Sequence, residues 1–221
     1  AKLIGAGVLA ATAERLILIS DPRYQGVLAS LAGQVAGLTA VVAPAGGSQD
    51  ETLVTEIGRL APVRLGIEAG AMTVRHHLDL TRHLATAGIR AELIPVDGAV
   101  EGLRAVKDAW EVATLRDAGR RLSDVAKCIL PKALAGSSER ELAAIIEWEL
   151  RQKGFDKPAF DTIVASGPNA ASPHHRAGDR RLAAGDLVVI DFGGMFRGYA
   201  VDMTRTVVLG IPSPRQRLCW D

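Results

Sequence analysis

Aromatic residues are scarce in this sequence. Nine of its 221 residues are Phe, Trp or Tyr, too few for the stacking surface that single-stranded nucleic acid uses. Charge of one sign is missing too. Lys and Arg number 26 against 25 Asp and Glu, a net charge of +1, so nothing electrostatic points to nucleic acid or an anionic membrane as a partner. No apolar run reaches the roughly 18 residues that a membrane span needs. Cysteine occurs twice, at Cys128 and Cys219, with no Cys-x-x-Cys pair. That excludes zinc-ribbon and thioredoxin-type motifs and suits a reducing cytoplasm better than a disulfide scaffold. No Gly-x-Ser-x-Gly elbow is present, and no Cys lies near a His pair in sequence.

What is present is an ordinary globular composition. Hydrophobic residues make up 48% and charged residues 23%, enough apolar surface for a packed core. The length allows one large domain or two of about 100 residues. The opening AKLIGAGVLAATA has some features of a signal peptide: Lys2, a short apolar run, then Ala11-Thr12-Ala13. A single Lys and two interrupting glycines favour a strand with a Gly turn instead. Gly5-Ala6-Gly7 lacks the preceding strand that a dinucleotide fingerprint requires. The first residue is not Met, so either Met has been removed or the sequence starts inside a longer protein.

Strand-like and helix-like segments alternate through the first hundred residues. Strands are expected at 15–20, 38–43, 63–68 and 90–95. Helices are expected at 22–33, after a cap at Asp21, at about 50–60 and at 73–87. This alternation implies crossover connections and a mostly parallel sheet in an α/β domain over 1–100. Beyond VDGAVEGLR (96–104), with a boundary expected near 98–106, the pattern changes. Asp108 to Glu111 and Ser138 to Glu141 are two capping boxes, each opening a helix. Leu115, Ala118, Leu122, Val125 and Ile129 form an apolar stripe at helical spacing. Pro131 ends the first of these helices and Gly154 the second. Strand-like runs follow at 160–166, 186–192 and 199–210, so residues 101–221 read as an α+β domain.

The residues with most chemical promise lie in DLVVIDFGGMFRGYAVDMTRT (186–206). The glycines between two strand-like runs predict a β-hairpin. If its turn centres on Phe196-Arg197, Asp191 and Asp202 face each other across it. Opposed like charges destabilise a hairpin, and the apolar neighbours Val188, Val189, Ile190, Val201 and Met203 raise the cost. A divalent cation between the carboxylates removes both penalties, and oxygen ligands suit manganese, magnesium or zinc. The alternative is that one aspartate caps the turn and the other pairs with Arg197 or Arg205. Thr204 and Thr206 share a face with Asp202 and are placed to hold a carboxylate, or serve as strand formers.

A second candidate is the loop ASGPNAASPHHRAGDRR (165–181), which presents His174 and His175 between two strands. Adjacent histidines point in opposite directions, so at most one of them is functional. Arg176, Arg180 and Arg181 read as a solvated basic cluster, and His76, His77 and His83 as surface or packing residues.

Taken together, FDTIVASGPNAASPHH and DLVVIDFGGMFRGYAVDMTRTVVLG resemble the catalytic domain of the pita-bread metallopeptidases, in particular the proline-specific branch of Xaa-Pro aminopeptidases and prolidases. RLGIEAGAMTV, SDPRYQ and ELIPVDGAVEGLRAVKDAWEVATLRDAG resemble the upstream part of that branch. The resemblance implies a creatinase-like N-terminal α/β domain, its start missing, followed by the first half of an α+β pita-bread domain. It implies a metallo-exopeptidase that hydrolyses the bond before proline in Xaa-Pro dipeptides or peptides, by metal-activated hydroxide at a dinuclear site. Asp191 and Asp202 match two metal ligands, with Asp202 bridging, and His174 matches the histidine that assists catalysis. The implied cofactors are two divalent ions, manganese first, with zinc or cobalt as alternatives. A homodimer is also implied, with the N-terminal domain shaping a partner's site.

The sequence departs from that family in one respect. The family's other ligands, one His and two Glu, lie beyond the hairpin, and after Asp202 this sequence has no His, no Glu and only Asp221 as a further acid. It therefore reads as the middle of a longer protein, inactive by itself. Two other functions stay open: a pita-bread fold kept as a non-catalytic binding module, and a creatinase-like hydrolase of small amidines.

Overall fold

A computed structural model describes residues 7–62 and 64–218. The first six residues, Val63, Cys219, Trp220 and Asp221 lie outside these, and with them most of the Gly5-Ala6-Gly7 stretch. The chain divides into two compact units, Ala1–Ala105 and Val106–Asp221.

The first unit runs β1 (Gly7–Ala11), β2 (Leu16–Ser20), α1 (Gln25–Gln34), β3 (Leu38–Val42), α2 (Gln49–Leu60), β4 (Arg64–Glu68), α3 (Val74–Thr86), β5 (Glu92–Val96) and α4 (Ala99–Ala105). β2 pairs with β3 in parallel, and β4 with β5 in parallel. β1 adds an antiparallel edge to β2. Ile17, Ile19, Leu53, Val54, Ile57, Ile67, Leu80 and Leu84 form one core beneath both sheets. The helix expected from Pro22 starts as a single 3-10 turn, capped by Asp21, and becomes α-helical only at Gln25. The side chain of Ser48 caps α2 and that of Thr73 caps α3. His76 of α3 meets Asp50 of α2 at 2.9 Å, so it serves to tie two helices together.

The second unit runs α5 (Ala109–Ile129), α6 (Glu139–Gln152), β6 (Lys157–Pro158), β7 (Ile163–Ser166), β8 (Leu187–Phe196), β9 (Tyr199–Val208) and α7 (Pro214–Leu218). Both expected capping boxes form, with reciprocal side-chain and backbone bonds. Such caps satisfy amides that a helix start otherwise leaves unpaired. β6, β7 and β9 all run antiparallel to β8. The apolar stripes of α5 and α6 (Ala118, Leu122, Val125, Ile129, Leu142, Ile146, Leu150) pack against Val188, Ile190 and Phe192. Because strand side chains alternate between faces, that packing turns Val189, Asp191 and Gly193 toward the opposite face. The hairpin tip is fastened to α5. The Tyr199 hydroxyl donates to Glu111 at 2.6 Å, Tyr199 meets Trp110 edge to face, and the Arg121 guanidinium lies 4.8 Å from the centre of the Phe196 ring.

Two features of the hairpin differ from expectation. Gly193 and Gly194 lie inside β8, which continues to Phe196. The turn is formed by Arg197 and Gly198, with φ of 49° and 88°. Two successive positive φ values make the tight turn whose twist suits a hairpin. The glycines within the strand serve packing instead. A Cβ on Gly194 would come within 2.3 Å of the Phe155 ring, and one on Gly193 within 2.7 Å of the Phe160 ring.

Phe155 is buried and meets Phe196 edge to face, so it has nowhere to retreat. Gly194→Ala is therefore expected to destabilise the second unit by about 1–3 kcal/mol, the usual cost of overpacking a core. Denaturant unfolding checks this, and an unchanged midpoint would refute the packing role.

Candidate metal and catalytic site

The site is built on the face of the sheet turned away from α5 and α6. With the turn at Arg197-Gly198, Asp191 pairs with Thr204, and Asp202 pairs with Gly193. The two aspartates are thus not directly opposed, as the assumed Phe196-Arg197 turn would have made them. The pairing moves by two positions, and since the side-chain period is also two, both carboxylates stay on one face as diagonal neighbours. Thr204 donates its hydroxyl to Asp191 Oδ1 at 2.8 Å, so the threonine orients Asp191, whereas the sequence had placed it beside Asp202.

The two carboxyls act on each other across this diagonal. Partial loss of water raises the pKa of Asp202. The charge of Asp191 and the hydrogen bond shared with it raise it further, against a smaller opposing effect of the Met203 amide. No described arginine relieves the pair: Arg197 lies over the Phe196 ring and Arg205 donates to the Thr204 carbonyl. Converging hard oxygen donors fit a divalent cation. Two carboxylates are only part of a complete ligand set, and no cluster of three or more His, Cys, Asp or Glu suited to a metal occurs among the described residues.

The histidine loop leaves the sheet at Ser166, which pairs with Val188 three positions from Asp191 on β8. A 3-10 turn, Gly167–Ala171, follows. His174 is exposed. His175 turns inward, its side chain 20% exposed, and its Nε2 lies 2.7 Å from Glu139 Oε2. The neighbours do point in different directions, and the described contacts do not join His174 to the aspartates. The expected solvated basic cluster is divided. Arg180 forks onto Asp186 at 2.7 and 3.1 Å and donates to Ser166 Oγ at 2.6 Å, which holds the Asp186 carboxyl below the usual range. Arg181 donates to the Gly136 carbonyl. Only Arg176 keeps the solvated role.

Glu139 is the residue that sequence reasoning missed. It is fully buried, and its two oxygens face Ser166, Asn169, His175 and Gly178. Burial alone would push its pKa up. The bonds from Asn169, His175 and Ser166 prevail and hold it down at about 2. In sequence Glu139 is one acid inside a capping box, and its partners are 27 to 39 positions away. An acid in the first turn of a helix was the one available sign.

Residues 113–221 match Metallopeptidase family M24. An uncharacterised peptidase of Bacillus subtilis is 34% identical over 94% of this chain and 56% of its own length. An Xaa-Pro dipeptidase of Pyrococcus furiosus is 39% identical over 59% of this chain and 37% of its own. The solved Xaa-Pro dipeptidase of Bacillus anthracis superposes with a TM-score of 0.86 at 31% identity, over 96% of this chain and 57% of that one. The matches thus span between 37% and 57% of these relatives' own lengths, and those to the two Bacillus proteins cover both units.

A carboxyl whose pKa is lowered by folding adds stability above its unfolded value, and that stability is lost as pH falls through the folded value. For Glu139 the window runs from about 4.5 down to about 2. Its full size is about 3 kcal/mol. Glu139→Gln is expected to flatten the acid limb of unfolding free energy against pH between those values. An acid limb identical to that of the parent would contradict the assignment.

Proposed function

Residues 113–221 are a domain of metallopeptidase family M24 with the pita-bread fold, and on that premise we propose that the whole protein hydrolyses the bond before proline in Xaa-Pro peptides, dipeptides foremost. The family implies divalent metal ions. We assign them to a dinuclear site, filled by manganese in the first instance, with Asp191 and Asp202 among the ligands. The observation that carries the reading is the convergence of these two carboxylates on one sheet face, where partial loss of water and then the charge of Asp191 raise the pKa of Asp202. Their relatives' names, Xaa-Pro dipeptidase in two cases, support dipeptides over longer substrates.

Divalent ions bound there would polarise the substrate carbonyl and make water acidic enough to attack at neutral pH. The chain's own residues have separate tasks. Asp191 and Asp202 supply negative oxygens, and Thr204 fixes the rotamer of Asp191. His174, exposed on its loop, would donate or accept a proton at the scissile bond of a bound peptide. The first unit contributes shape rather than chemistry, in a homodimer. A cytoplasmic setting agrees with the free thiol of Cys128, and no described helix is long and apolar enough to cross a membrane.

The test separates charge from proton chemistry. In the complete protein, Asp202→Asn keeps size but removes the charge that balances cations, so bound metal and Xaa-Pro hydrolysis are both expected to be lost. His174→Ala is expected to keep the metal and lose ~10²–10⁴-fold in turnover, the usual contribution of a positioned acid–base group. The 221-residue chain alone is expected to be inactive. Elemental analysis together with Xaa-Pro dipeptide assays checks all three. Metal loss in the His174 variant would make it a ligand instead, and full activity of the Asp202 variant would end the proposal.

A further inference from the structure

Glu139 uses both carboxylate oxygens on a single loop. Oε1 accepts from the Ser166 amide at 2.8 Å, the Ser166 hydroxyl at 2.7 Å and Asn169 Nδ2 at 3.0 Å. Oε2 accepts from His175 Nε2 at 2.7 Å and the Gly178 amide at 3.2 Å. These donors lie near the start, at the middle and at the end of the segment 166–178, and His174 lies inside it. The helix that carries Glu139 grips the far end as well. The Glu139 amide donates to the Arg180 carbonyl and the Arg140 amide to the Gly178 carbonyl, each at 3.0 Å. Since a carboxylate only accepts, the bond to His175 places a proton on Nε2 and fixes that ring's tautomer.

A buried carboxylate is a costly way to add stability, because an apolar residue of similar size often does as well. Its particular use is to hold several donors at once in one geometry. Here all of its side-chain bonds go to the loop that presents His174, and the next residue in the chain is one of the anchored donors.

We propose that Glu139 is a positioning residue for His174: a buried clasp that fixes segment 166–178 so that the exposed histidine is delivered in one orientation. The chemical part rests on the Xaa-Pro reading of the site, while the clasp itself does not. Loss of the clasp would leave metal ligands and substrate contacts in place and would blur the placement of a single proton-transferring group. A displacement of about 1 Å in such a group can cost ~10²-fold in rate.

Two measurements test this. The first is amide hydrogen exchange on the 221-residue chain, comparing the parent with Glu139→Gln and with the milder His175→Ala. Exchange at Ser166 and Gly178 is expected to rise ~10-fold or more in Glu139→Gln while the amides of α5 and β8 stay protected, a local opening rather than global unfolding. Unchanged loop protection overturns the clasp. If Glu139→Gln unfolds the whole unit, His175→Ala decides: faster loop exchange supports the clasp, and none overturns it. The second is a double-mutant cycle on the complete protein with an Xaa-Pro dipeptide. Glu139→Gln is expected to lower kcat ~10²-fold with KM nearly unchanged, and to add nothing in a His174→Ala background, since residues that act through one another are not additive. Fully additive losses would make Glu139 merely structural. A parent protein with no Xaa-Pro hydrolysis would refute the functional reading instead, and the exchange measurement would still judge the clasp.

Discussion

The pairing of β8 with β9 is the constraint on which the candidate site depends. Its register is fixed by a two-residue turn with positive φ at Arg197 and Gly198. Shifting that turn by one position along the chain moves the pairing by two, so Asp191 and Asp202 keep a common face. A shift of the pairing by one would have turned one carboxylate into the helices. The apolar residues between them act as a second lock, since Ile190 and Phe192 are drawn into the core with α5 and α6. The hydrophobic packing on one face thus places two acids together on the other. The free energy that offsets their repulsion comes from residues with no chemical role.

The same division of labour recurs at the histidine loop. Its conformation is set by an interior carboxylate and by the Arg180–Asp186 fork, and His174 itself makes no hydrogen bond to described residues. Both parts of the site are therefore held in place by neighbours with no reacting role of their own. Thr204 does this for Asp191, and Glu139 does it for the segment around His174. Preorganisation of this kind lets electrostatic and proton-transfer groups act without rearrangement during reaction.

Much of the second unit was legible because its signals are local. The stripe from Ala118 to Ile129 and both capping boxes specify α5 and the start of α6 within single turns of chain. Parity along β8 and β9 follows from the period of two. The register was not legible, because Gly193-Gly194 looks like a turn in sequence and only the positions of Phe155, Phe160 and the Val201 carbonyl explain why glycine is needed inside a strand. Glu139 was hidden for a related reason: its partners lie across a loop and a strand, and nothing in SSEREL marks it apart from its neighbour Glu141. In the first unit the alternation of strands and helices was readable, but the antiparallel β1 edge required knowing which side of β2 was vacant.

On the reading proposed above, the two aspartates share one cation-binding face. Paramagnetic Mn²⁺ titrated into the 221-residue chain tests it most directly, because line broadening in NMR reports even weak and incomplete sites. Broadening is expected to concentrate on the amides around Asp191 and Asp202 and to be absent in an Asp191→Asn, Asp202→Asn double variant. Broadening spread evenly over the surface acids, or centred on another cluster and unaffected by the double variant, would contradict it.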